Sequence, residues 1–132
     1  MNNQQRKFQY SVLIGRFQPF HFGHQRLVEH ALRMSERVIV VVGSDKQHRS
    51  VKNPFTFEER ERMIRGALRN TEHARTSVIS VPDSPYNDSI WISGVQGGVD
   101  RLISADGAVP DTASVAIVGH LKDASSYYLK LF

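Results

Sequence analysis

Two histidines three positions apart, His21 and His24, stand in the segment Gly15-Arg-Phe-Gln-Pro-Phe-His-Phe-Gly-His24. An imidazole offers N–H donors, and two of them beside small residues can receive a phosphate. Gly15 lets a ligand approach the backbone, Pro19 stiffens the loop, and Gly23 removes side-chain bulk where a helix begins. A helix amino terminus adds unpaired N–H groups and partial positive charge, so an anion placed there gains hydrogen bonds and dipole stabilisation. For a lone histidine, solvation or a bond to backbone is the better reading; here there are two. Zinc is the other use of such a pair, but the chain has no cysteine and no HExxH helix. The three-glycine dinucleotide fingerprint is also absent, which argues against a nicotinamide-dependent dehydrogenase.

Three further segments carry unusual residues. In Lys52-Asn-Pro-Phe-Thr-Phe-Glu-Glu-Arg60, Thr56 and Glu59 have the spacing of a capping box. Arg60 is then either a solvated first-turn residue or a planar fork aimed at phosphate oxygens. Val81-Pro-Asp-Ser-Pro-Tyr-Asn-Asp-Ser-Ile-Trp91 brings the single tryptophan in after a polar loop. A flat base could stack on Trp91, and a core position on an amphipathic helix is equally open. After Val118 come Gly119, Lys122 and Asp123, the charged two reading at least as well as a solvated pair in a turn, and then Tyr127 and Tyr128, which read as packing residues.

These segments are spaced by elements able to hold them. Tyr10–Ile14, Val38–Val42, Ser77–Val81 and Val115–Val118 are short β-rich apolar runs, three of them closed by glycine and one by Pro82. Leu27, Val28, Ala31 and Met34 recur at helical spacing and predict a helix from His24 to about Ser35; Met63, Ile64, Ala67 and Leu68 predict a second helix opened by Thr56. Asp88 can cap a third helix carrying Trp91, Val95 and Leu102, with an irregular middle expected from Gly94, Gly97 and Gly98. Ser125 to Phe132 reads as another helix or a return to the sheet. Near-continuous apolar strands separated by helical crossovers predict an α/β fold, a Rossmann-like parallel sheet with helices on both faces. Its ligand crevice lies beyond the carboxyl ends of the strands, where all four unusual segments fall.

At 132 residues the chain fits one domain, and 40% hydrophobic with 23% charged residues is a globular balance. Seventeen basic against 13 acidic residues leave a net charge of +4, attractive to phosphorylated ligands. The basic residues are dispersed rather than gathered in a tract, which disfavours nucleic acid. No apolar run approaches the roughly 20 residues that span a bilayer, and the polar start from Met1 to Lys7 lacks the core of a secretory signal, so no membrane partner and a cytoplasmic location are expected.

At His21-Phe22-Gly23-His24 the sequence resembles the HxGH nucleotidyltransferase superfamily, and the longer GRFQPFHFGH string resembles nicotinamide-nucleotide adenylyltransferases of the archaeal type and the amino-terminal domain of their bacterial bifunctional relatives, which carry a Nudix hydrolase domain. The resemblance runs from Tyr10 onwards. It implies that His21 and His24 contact ATP phosphates, with Arg16, Gly15, Gln18 and Gly23 at the same site. Through the element resembling NPFT…ER it implies Arg60 near the phosphates. It implies Asn87 on a nicotinamide carboxamide and Trp91 against the pyridine ring, with Gly119 and Lys122 beside the nucleotide. The expected substrates are ATP and nicotinamide mononucleotide, the product NAD, and the cofactor magnesium bound mainly through phosphate oxygens, with no protein metal site. Nicotinate mononucleotide or another phosphate acceptor, and a non-catalytic nucleotide-sensing domain, are the alternatives. The superfamily usually continues to an ISxTxxR-like element that binds triphosphate. Its absence here leads to the expectation that residues 1–132 are a nucleotidyltransferase domain truncated at the carboxyl end, a fragment whose longer parent could bear a Nudix domain. Homo-oligomer formation is left open.

Overall fold

The computed structural model describes residues 7–45, 54–82 and 88–118. Among them the order is β1 (Phe8–Gly15), α1 (Phe22–Met34), β2 (Ser35–Asp45), α2 (Phe57–Gly66), α3 (Asn70–His73), β3 (Thr76–Pro82), α4 (Asp88–Ala105) and β4 (Val115–Val118). The strands form one parallel sheet in the order β3-β2-β1-β4. Gly15 at the end of β1 lies opposite Val42, so the exits of the two central strands are level. The expected α/β sheet and its four strands are observed.

Strands that are apolar on both sides must be covered on both sides, and alternate residues accordingly enter two separate cores. Leu13, Val38, Val40 and Val42 pack with Val28, Ala31 and Leu32 of α1 and Ile64 of α2. Val12, Ile39, Val41 and Val81 pack on the other face with Val95, Val99 and Ile103 of α4. Each fully buried aliphatic side chain contributes about 1.5–3 kcal/mol by leaving water, so both layers fix the sheet that carries the loops.

Three local features depart from the sequence expectation. Helix α1 starts at Phe22 rather than His24, because His21 caps it. It then passes into β2 with no intervening turn, and the Arg75 guanidinium donates to the carbonyls of Leu32, Ser35 and Glu36 at 2.6, 2.8 and 3.0 Å, taking up groups the helix end leaves open. Helix α4 runs unbroken over 18 residues through all three of its glycines. A Cβ on Gly98 would stand 2.9 Å from the Ile79 Cδ1, so the bare position lets the helix lie close to β3. The helix ends at Ala105, and Gly107 follows with a φ of 87° that suits the bonds from Gly107 N–H to Ser104 and from Ala108 N–H to Ile103 that close it. The short helix α3 had no sequence signal. Among the described residues no helix is long and apolar enough to cross a membrane.

Opposite the strand exits, the buried Tyr10 hydroxyl donates to Asp106 Oδ2 at 2.8 Å, and Arg37 lies 3.5 Å from the same oxygen. Burial, then the bond to Asp106, push the phenol from 10.0 up to about 12. A raised folded value means the neutral phenol is favoured by folding. Its contribution is complete below pH 10 and disappears as pH rises through about 12. Tyrosinate absorbance should therefore show a last ionisation near pH 12 that Tyr10→Phe abolishes; persistence of that step in the variant would show that it belongs elsewhere.

Candidate active site

The loop leaving β1 turns back at Phe17 and delivers His21 to the N-cap position of α1. There the two histidines cap each other. Nδ1 of His21 accepts from the backbone N–H of Gly23 at 3.1 Å and of His24 at 3.4 Å, and Nδ1 of His24 accepts from the His21 N–H at 3.1 Å. This is a capping box built from imidazoles in place of hydroxyl and carboxylate. The rings stack with centroids 3.6 Å apart and planes 20° from parallel. With both Nδ1 atoms accepting, each neutral ring carries its proton on Nε2. Two N–H donors therefore stand together at a helix amino end, where no acidic residue occupies the first turn. That combination favours an anion.

Aromatic packing orients the pair. Phe17 is 2% exposed and meets His24 edge-on at 4.8 Å, while Phe20 stacks on His24 at 5.6 Å and lies 5.7 Å from Phe17. Phe17 adopts φ 52°, the left-handed region, and alone among the described non-glycine residues does so. The two glycines are also needed by the loop's own packing. A Cβ on Gly15 would lie 2.8 Å from Phe17 Cζ, and one on Gly23 3.0 Å from His21 Cε1. Both glycines make room for rings of the loop itself.

Gln18 and Arg60 both bond the backbone of the loops beside the histidines. The Gln18 carboxamide donates to the Phe55 carbonyl at 3.0 Å and accepts the Phe55 N–H at 2.9 Å, binding the loop to the lead-in of α2. Thr56 and Glu59 form the expected capping box, at 3.1 and 2.9 Å. Arg60 is 1% exposed. Its Nη1 donates to the carbonyls of Arg16 and Gly43 at 2.8 and 2.6 Å, and its Nε to Thr56 at 3.2 Å. The Arg16 side chain is exposed on the same loop. Trp91, in the first turn of α4, is half-buried against the core on the α4 face. Asn87, Gly119 and Lys122, like Lys52, Asp123 and the segment Ser125–Phe132, lie outside the described residues. Phe17 and Phe20, which orient His24, were missed by sequence reasoning, although aromatic residues between a strand-ending glycine and a histidine were the available signal.

Among the described residues no three His, Cys, Asp or Glu side chains gather to hold a metal ion. The arrangement can bind an anion by paired donors beside the exits of a Rossmann-like sheet, the layout of a nucleotide-binding enzyme domain. The chain belongs to the cytidylyltransferase-like family, whose model matches residues 12–95. It is 43% identical over 126 residues to the nicotinamide/nicotinic acid mononucleotide adenylyltransferase of Acinetobacter baylyi, covering 96% of this chain and 63% of that relative. It is 40% identical over 79 residues to the nicotinamide-nucleotide adenylyltransferase of Saccharolobus solfataricus, covering 58% of this chain and 45% of the relative. In structure it is similar to a bifunctional NMN adenylyltransferase/ADP ribose pyrophosphatase from Francisella tularensis, solved in complex with AMP and a manganese ion. The TM-score is 0.81 and the identity 34%, over 93% of this chain and 34% of that one. The chain thus spans less than two thirds of the curated relatives it matches here.

Proposed function

We propose that this chain forms the nucleotide-binding core of an adenylyltransferase that joins ATP to nicotinamide mononucleotide, yielding NAD and pyrophosphate. The observation that supports this most strongly is the pair of Nε2–H donors at the amino end of α1, fixed by reciprocal capping. A 5′-phosphate oxygen of the acceptor attacks the α-phosphorus of ATP in line. The new P–O bond forms as the bond to the β-phosphate oxygen breaks, and that electron pair leaves with pyrophosphate. The attacking phosphate is already ionised near neutral pH, so alignment and charge stabilisation matter more than a general base. His21 and His24 donate to the α- and β-phosphates, and Arg16 adds positive charge. Gly15, Gly23 and Gln18 keep the loop close enough to serve them. Asn87 bonds the carboxamide, Trp91 faces the pyridine ring, and Gly119 and Lys122 border the adenosine. Magnesium fits such a site because it takes oxygen ligands from phosphate and water, and when bound it neutralises triphosphate charge. The manganese ion of the Francisella neighbour supports a divalent cation here. That neighbour's second activity supports a Nudix domain as a companion in the whole protein.

Incubated with ATP, magnesium and nicotinamide mononucleotide, the chain is expected to release pyrophosphate and NAD in equal amounts. The acceptor alone is expected to change the emission of Trp91, the single tryptophan. ATP binding without pyrophosphate release favours a nucleotide sensor or an incomplete catalytic domain, which a longer chain that restores release separates, and failure to bind ATP overturns both. Nicotinate mononucleotide is the second acceptor to test, since the Acinetobacter relative is named for both pyridine forms.

A further inference from the structure

A guanidinium that is 1% exposed and bonded to three carbonyls holds backbone in place rather than meeting solvent. One nitrogen of Arg60 bridges the carbonyls of Arg16 and Gly43, tying the exit of β1 to the exit of β2. The Arg16 carbonyl belongs to the peptide plane that also contains the Phe17 nitrogen. Fixing that plane constrains the rotation about the next bond, the φ of Phe17, which has the unfavourable value of 52°. In this conformation the Phe17 ring covers Gly15 and meets the edge of His24. We propose that Arg60 is a positioning residue, holding the Arg16–Phe17 turn so that Phe17 locks the His24 ring and its Nε2–H toward a phosphate-bearing ligand. The purpose of that orientation rests on the adenylyl-transfer reading, whereas the orientation itself does not.

The test combines nitrogen-15 spectra of the imidazoles, recorded without substrate at mildly alkaline pH, with pyrophosphate release by the same proteins. Arg60→Lys keeps the charge but lacks the planar fork, and Arg60→Gln keeps a shorter donor. In the unsubstituted chain His21 and His24 are expected as single Nε2–H tautomers. In either variant, with a cooperative melt retained, His24 is expected to show mixed tautomers. Turnover should fall about tenfold or more while KM for nicotinamide mononucleotide stays within about twofold, as expected from misplacement on the phosphate side alone. In a Phe17→Leu background, Arg60→Lys should cost less than about twofold further, because the link it acts through is already cut. Unchanged His24 signals in a folded Arg60 variant, fully multiplying effects in the double variant, or loss of folding in both Arg60 variants overturns the proposal. A native tautomer pattern lost in Arg60→Lys, in a chain that never releases pyrophosphate, defeats the reaction assignment and leaves the positioning role standing.

Discussion

His21→Asn should reduce pyrophosphate release by about a hundredfold or more, the loss typical of removing a donor aimed at developing charge, while leaving the protein nearly as stable as before. Asparagine places a side-chain oxygen near the position of Nδ1 and is among the strongest helix caps. It can therefore accept the Gly23 and His24 N–H groups that Nδ1 accepts now. It has no counterpart of the Nε2–H. His21→Ala loses both functions, so it should show the same fall in rate together with about 1 kcal/mol of destabilisation. Urea midpoints and initial rates for the two variants separate capping from chemistry. A fully active His21→Asn protein would remove the donor pair from the mechanism.

Gly15→Ala should be nearly as damaging, for a steric reason. The added methyl would stand 2.8, 3.0 and 3.2 Å from three atoms of the Phe17 ring. That ring is buried and already in contact with Phe20 and His24, so it has nowhere near to go. Overpacking of this kind costs about 1–3 kcal/mol, and displacement of the histidines should lower turnover at least tenfold, given that shifts of about 1 Å can cost a hundredfold. Gly43→Ala serves as the comparison for stability, because its methyl meets only the Gly15 carbonyl at an ordinary 3.7 Å. Equal melting curves for the two alanine variants would contradict the packing argument.

The strands were legible because burial on both faces leaves near-continuous runs such as Val38–Val42, and their parallel pairing followed from the alternation with helical patterns. The Thr56–Glu59 capping box was legible because its signal lies within four residues. The beginning of α1 was not, because histidine is an unusual cap and its ability to serve depends on the partner ring stacked on it. The continuity of α4 was hidden for a related reason. The helix-weakening tendency of glycine is local, whereas the close approach of Gly98 to Ile79 is a tertiary contact. Arg60 and Gln18 entered the expected site through the family resemblance. Only the fold shows that their polar groups turn toward the backbone of Arg16, Gly43 and Phe55.

The sheet keeps its two apolar layers apart, with the imidazole end of α1 rooted in one and the indole of Trp91 in the other. Side chains with no shared neighbours usually combine their effects additively. Under the proposed function, substitutions around Trp91 on α4 are therefore expected to shift acceptor preference without disturbing the imidazole pair, and gains selected on each side to combine afterwards.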